Sequence, residues 1–132
     1  MKISLTYLLT ELAKFKPDHR INSDAYFDQI RLLDLGSLDL KPNTLYVTNV
    51  RDFGIVNNRI KNCTLIVCDH LGLMEKVDVS TDMNLIVVKD RISTERLMNH
   101  LIGVFDAFQT TANDLLAMTL EHKEYFVLYD RL

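Results

Sequence analysis

The sequence contains few of the residues that mark the more unusual classes of protein. It has four glycines and two prolines among 132 residues, and 48% of its residues are hydrophobic. Disordered chains are richer in proline and glycine and poorer in apolar residues, so this composition excludes extended disorder. The aliphatic runs at 65–67 and 85–88 are far shorter than the roughly 18 apolar residues that a membrane span requires. We therefore expect one soluble domain over residues 1–132.

Positive charge is also scarce. Fifteen basic residues stand against eighteen acidic residues, which gives a formal net charge of −3, and there is no run of lysine or arginine. A domain that grips DNA through many phosphates usually presents a basic face. We therefore expect that this chain does not itself read DNA.

Cysteine is limited to Cys63 and Cys68, which flank a predicted strand. In an extended strand their Cα atoms would lie about 16 Å apart on opposite faces, whereas a disulfide requires about 7 Å or less. Unbridged thiols suit the reducing cytosol, and polar residues interrupt any amino-terminal signal sequence. We expect a cytoplasmic protein. No second Cys/His pair stands nearby, so no metal site or cofactor is predicted.

The most regular feature of the sequence is a set of short apolar runs. Residues 45–47, 65–67 and 85–87 begin at intervals of 20 residues, and residues 30–33 form a similar run. Continuous apolar runs of this kind are typical of strands buried on both faces of a parallel sheet. The connections are long enough for right-handed crossovers, and residues 70–76 are the better helix candidate, whereas 49–62 looks irregular.

Helical patterns occur near both ends of the chain. Apolar spacing predicts a helix over 4–16 with Ser4 as its N-cap and Pro17 as its stop, followed by a loop over 17–25. A second pattern predicts a long helix over 93–122, which approaches 40 Å and is longer than a small sheet can cover. The predicted fold is therefore α/β, with a small, mainly parallel sheet of about four strands, flanking helices and a long C-terminal helix.

The far half of the long helix is expected to need a partner. We predict an interface at Leu115, Leu116 and Leu120 with a second copy, as in a homodimer, or with a downstream domain of the same chain. The apolar stretch 125–129 close to Leu132 indicates that the chain is a fragment of a longer protein.

Polar residues follow the predicted parallel strands at the edge where ligands usually bind. Asn49, Asp69, His70 and Arg91 are the candidate contacts for a small polar metabolite. The competing interpretation, which we favour, makes Asp69 a cap of the following turn.

Catalytic signatures are missing from the pattern. The histidines are scattered, which indicates surface residues, and no glycine-rich phosphate loop or nucleophile motif occurs. We predict no enzymatic activity and no catalytic residue.

The order of these segments resembles the N-terminal domain of PucR/CdaR-type bacterial transcription regulators. The similarity covers roughly residues 3–130 and is carried by the segments 30–33, 40–47 (Leu-Lys-Pro-Asn-Thr-Leu-Tyr-Val), 65–67, 85–88 and the long helix from Ser93. In that group an N-terminal α/β domain precedes a sensor-like region and a helix-turn-helix domain. The resemblance implies a sensory or dimerisation module in transcription regulation, with DNA bound only through a C-terminal domain outside this chain. The alternative is a free-standing small-molecule-binding α/β protein.

Overall fold

A computed structural model describes the backbone of residues 2–76, 79 and 82–121, with the side chains of 2–75, 79 and 82–108. Its elements in chain order are β1 (Ile3–Ser4), α1 (Leu5–Leu12), β2 (Asp18–Arg20), β3 (Tyr26–Phe27), β4 (Gln29–Leu32), β5 (Thr44–Asn49), α2 (Val50–Val56), β6 (Thr64–Cys68), β7 (Asn84–Val88) and α3 (Thr94–Glu121). Short 3-10 turns occur at Ala13–Phe15 and Leu73–Lys76.

The main sheet is mixed and has five strands in the order β2-β7-β6-β5-β4. β4, β5, β6 and β7 run parallel, as predicted, whereas β2 pairs with β7 in the antiparallel direction. β1 and β3 form a separate antiparallel ribbon. The prediction of an α/β fold is confirmed. The predicted sheet of about four mainly parallel strands is only roughly matched, because β2 adds a fifth, antiparallel strand.

β2 shows why the prediction of a loop over 17–25 is wrong at Asp18–Arg20. All three residues of this strand are exposed and polar, so no apolar pattern marks them. Pairing with β7 satisfies their backbone groups, and the Asp18 carboxylate lies 2.7 Å from Lys89 Nζ. Tertiary pairing has overridden local propensity.

The central strands β5, β6 and β7 are buried on both faces because each face carries its own layer. One face presents Leu45, Ile66 and Ile86 to α1 and α3. The opposite face presents Leu65 and Val67 to α2 and the Leu73–Lys76 turn. This double cover explains the continuous apolar runs in the sequence.

The first helix begins as predicted but is shorter. Ser4 Oγ accepts a hydrogen bond from Tyr7 N at 3.1 Å and caps α1. The α-helix ends at Leu12 and tightens into a 3-10 turn, after which Lys16 adopts a positive φ of 46° before Pro17. Proline disfavours the right-handed α conformation at the residue before it, so the helix cannot continue through Lys16.

The two connections between the central strands differ from the prediction, which placed the helix in segment 70–76 and irregular chain in 49–62. The helix lies in the segment 49–62, as α2, and its N-cap Asn49 accepts a hydrogen bond from Asp52 N at 2.9 Å. The segment 70–76 holds only the 3-10 turn, because Gly72 has a φ of +71° and interrupts any helix through it.

α3 is much longer than the sheet beneath it. Its 28 residues extend about 42 Å, whereas strands of five or six residues span about 16–20 Å. Among the side chains of α3 that the structure describes, which end at Phe108, Leu97, Leu101 and Phe108 are buried. The prediction of a long helix is confirmed, ending at Glu121. Within the described chain, no helix is long and apolar enough to cross a membrane.

Candidate functional site

The carboxyl ends of β5 and β6 and the start of α3 enclose a cavity of about 430 Å³. After β6 the chain turns to the α2 face of the sheet, and after β7 it turns to the opposite face to form α3. A crevice opens where neighbouring parallel strands diverge in this way. Asn49, Asp69 and His70 line it together, whereas Arg91 is exposed and is not part of the wall.

Asp69 is buried at this edge and is engaged by backbone groups. Its side chain is 2% exposed; Oδ1 accepts a hydrogen bond from Leu73 N at 2.8 Å, and Oδ2 accepts one from Met74 N at 2.9 Å. Asp69 N also donates to Val88 O at 2.8 Å. The carboxylate therefore holds the 3-10 turn against the sheet, which is the capping role.

Asn49 is similarly engaged in local structure. Its Oδ1 caps α2, and its Nδ2 lies 3.4 Å from Asp52 Oδ2. His70 is exposed, and so is Arg51, a cavity residue that the sequence analysis missed. The remaining wall includes the apolar side chains Val50, Leu71, Leu73 and Ile92. The cavity thus offers an apolar surface with an imidazole and a guanidinium at its edge.

The two cysteines are free thiols, and Cys68 contributes to the cavity wall. Burial raises the pKa of Cys68, although a hydrogen bond with Thr94 opposes the shift. Burial raises the pKa of Cys63 to about 11. A thiol with a raised pKa stays protonated at neutral pH and is a poor nucleophile.

A second cavity of about 410 Å³ lies between α1 and α3 and is lined by His100. The prediction that each histidine is a surface residue holds only in part for His100, which is half-buried: its ring meets the Phe15 ring edge-on at 5.5 Å, and its Nε2 is buried. That nitrogen has no hydrogen-bond partner among the described residues. Desolvation and then the Lys14 charge lower the pKa of His100, with Glu11 opposing them.

A third cavity, of about 570 Å³, lies at the amino ends of the strands. Asn84 is 3% exposed beside it, and its side chain makes four hydrogen bonds. Its Oδ1 accepts from Asn22 N at 2.7 Å and Ser23 N at 3.0 Å, while its Nδ2 donates to Ser23 O and to Thr64 Oγ1. Both donor hydrogens and both acceptor positions of the side-chain amide are therefore used. Asn84 fastens the loop after β2 to the sheet.

Across the residues with described positions, no group of three or more His, Cys, Asp or Glu side chains is arranged to hold a metal ion. No family model, curated protein or solved structure matches the chain. The molecule is thus a small mixed-sheet α/β domain with a long helix, and its function has to be inferred from its own geometry.

Proposed function

We propose that this chain is a non-enzymatic regulatory module that self-associates, the N-terminal sensory or dimerisation domain of a bacterial transcription regulator. The observation that carries the proposal is the excess length of α3. The helix is about 42 Å long, at least about 20 Å longer than the strands of five or six residues against which it packs.

The excess matters because a helix in water needs an apolar contact. Isolated helices of ordinary length are marginal in water, and tertiary packing of an amphipathic face supplies most of their stability. The predicted interface residues Leu115, Leu116 and Leu120 belong to the second half of α3, and their side chains lie outside the described residues. A second copy of the chain is the proposed partner.

The chemistry of the strand ends supports a regulatory role over a catalytic one. Asp69 and Asn49 use their side-chain oxygens as caps, and burial favours the protonated form of both thiols. With a net charge of −3, the chain would reach DNA only through a further C-terminal domain, as in the regulators it resembles. A cytoplasmic location is part of the same proposal.

A free-standing small-molecule-binding protein is the second candidate. It is favoured by the cavity that brings Asn49, Asp69 and His70 together. Under this alternative the ligand contacts His70 and the apolar wall, since the other two side chains are engaged in capping. Metabolites that stabilise the protein in a thermal-shift screen, with the shift lost in His70→Ala, would support it.

The direct test compares Leu116→Asp with Ile55→Asp by sedimentation velocity. Ile55 is a matched control because it is an apolar residue on α2 that is 50% exposed. We expect the wild type and the control to form dimers and Leu116→Asp to be monomeric with an unchanged circular dichroism spectrum. A dimer that persists in Leu116→Asp would contradict the role of this helix segment.

A further inference from the structure

The cavity of about 430 Å³ at the carboxyl ends of β5 and β6 has a largely apolar wall. The apolar side chains in this wall are Val50, Cys68, Leu71, Leu73 and Ile92. Leu71 is 69% exposed and Leu73 is 42% exposed, so apolar surface extends from the cavity to solvent. Small-molecule sites usually measure about 300–1,000 Å³ and are lined mainly by apolar groups. The cavity therefore suits a small ligand with an apolar body.

The side-chain oxygens of the same wall are already engaged by the protein. Both oxygens of Asp69 accept backbone N–H groups of the following turn, and Asn49 Oδ1 caps α2. Ser93 Oγ accepts a backbone N–H at the start of α3, and the Thr94 side chain forms a hydrogen bond with Cys68. Asp69 is also only 2% exposed, so its charge is directed to the turn that it caps. These side chains offer little to a cationic ligand.

Arg51 and His70 are the other polar side chains of the wall, and both can donate hydrogen bonds. They follow Asn49 and Cys68 by two residues each, and Asn49 and Cys68 are register partners in β5 and β6. Both side chains are exposed, and neither has a hydrogen-bond or ion-pair partner among the residues that the structure describes. The guanidinium stays charged at neutral pH, and its planar donors match a carboxylate. The free polar groups of the cavity therefore favour an anion.

We propose that this cavity binds a small organic acid, a carboxylate carried on an apolar body. The carboxylate is held by Arg51 and His70 at the exposed edge, and the body packs against Leu71, Leu73 and Ile92. A carboxylate at the edge keeps part of its hydration, so it avoids the cost of burying a charge in the interior. The inference rests on the second candidate function, a small-molecule-binding protein, and it does not depend on self-association.

The net charge of the chain makes the expected preference specific to this site. At −3 the chain repels anions at long range and attracts cations. A preference for an anion over a cation of the same shape must then come from local donors. Octanoate, octanol and octylamine share one hydrocarbon chain and differ only in the charge of the head group, so they form a matched set of ligands.

The first experiment titrates each of these three compounds into the full chain and follows the backbone amide signals by NMR. We expect octanoate to bind at least about tenfold more tightly than octanol or octylamine, because its contact with Arg51 is charge-assisted. The largest shifts should fall at residues 50–51 and 70–73. Octanol that binds as tightly as octanoate would overturn the anionic group, and largest shifts outside the cavity would overturn the site.

The second experiment repeats the octanoate and octanol titrations with variants of two exposed arginines. Arg59 is the matched control, because it follows α2 and does not line the cavity. We expect Arg51→Gln to weaken octanoate binding at least about tenfold and to leave octanol binding unchanged. Arg51→Lys retains the charge and should give an intermediate affinity, while Arg59→Gln should match the wild type. Equal octanoate affinities for Arg51→Gln and Arg59→Gln would overturn the proposal.

The outcomes separate this inference from the function on which it rests. If none of the three compounds binds, but a metabolite from the thermal-shift screen does and its effect is lost in His70→Ala, the organic acid is wrong and the small-molecule-binding function stands. If neither the three compounds nor any metabolite binds, both are overturned.

Discussion

Replacing Asp69 removes the acceptor of two backbone hydrogen bonds at once. Asp69→Ala leaves Met74 N without a partner in a buried position and Leu73 N without one in a partly buried position. An amide left unsatisfied in the interior costs about 1–3 kcal/mol, and water can partly replace the acceptor for Leu73. We expect Asp69→Ala to lower the free energy of unfolding by about 2–3 kcal/mol.

The same reasoning ranks a second substitution. Asp69→Asn keeps one carbonyl oxygen that can accept from a backbone amide, so we expect a loss of about 1 kcal/mol. Asp90→Ala is the matched control, since Asp90 follows the neighbouring strand but is exposed. Urea unfolding followed by circular dichroism gives all three values. If Asp69→Ala is as stable as the wild type, or if Asn and Ala cost the same, the capping role is refuted.

Two further predictions concern buried polar groups. The pKa of His100 is lowered in the folded state, so the unfolded chain binds more protons and stability declines as the pH falls below about 6.5. We expect His100→Gln to remove that part of the pH dependence. If urea unfolding between about pH 5 and 7 gives the same dependence of stability on pH for His100→Gln and the wild type, the prediction is contradicted. Asn84→Ala removes four hydrogen bonds, and we expect a loss of about 2–4 kcal/mol and faster hydrogen exchange at Asn22 and Ser23. Exchange at wild-type rates there would refute the fastening role.

Much of the sheet can be predicted from the sequence because β5, β6 and β7 are buried on both faces. Their runs are apolar throughout, and the 20-residue spacing leaves room only for short crossovers. β2 escapes prediction because its three residues are polar and exposed, and its pairing with β7 is set by distant contacts. The ribbon of β1 and β3 has two residues per strand, too few for any pattern.

The crossovers show the limit of local composition. Gly54 and the asparagines beyond it make α2 look irregular, although Phe53 and Val56 are spaced by three residues and are buried. In the segment 70–76, helix formers surround Gly72, whose positive φ decides the outcome. Backbone conformation at one residue has outweighed the propensities of its neighbours.

The candidate site is only partly visible in the sequence. Asn49, Asp69 and His70 come together because adjacent parallel strands end at the same edge. Arg91 is exposed and lies outside the wall, although Ile92, the next residue of the same link, lines the cavity. The role of Asn84 depends on hydrogen bonds to residues more than 60 positions away, which no sequence pattern reveals.

The mass of the chain in solution tests the proposal of a self-associating module most directly. Sedimentation equilibrium of residues 1–132 should give twice the chain mass of 15.3 kDa at micromolar concentrations. A mass of 15.3 kDa at every concentration up to the solubility limit would contradict it.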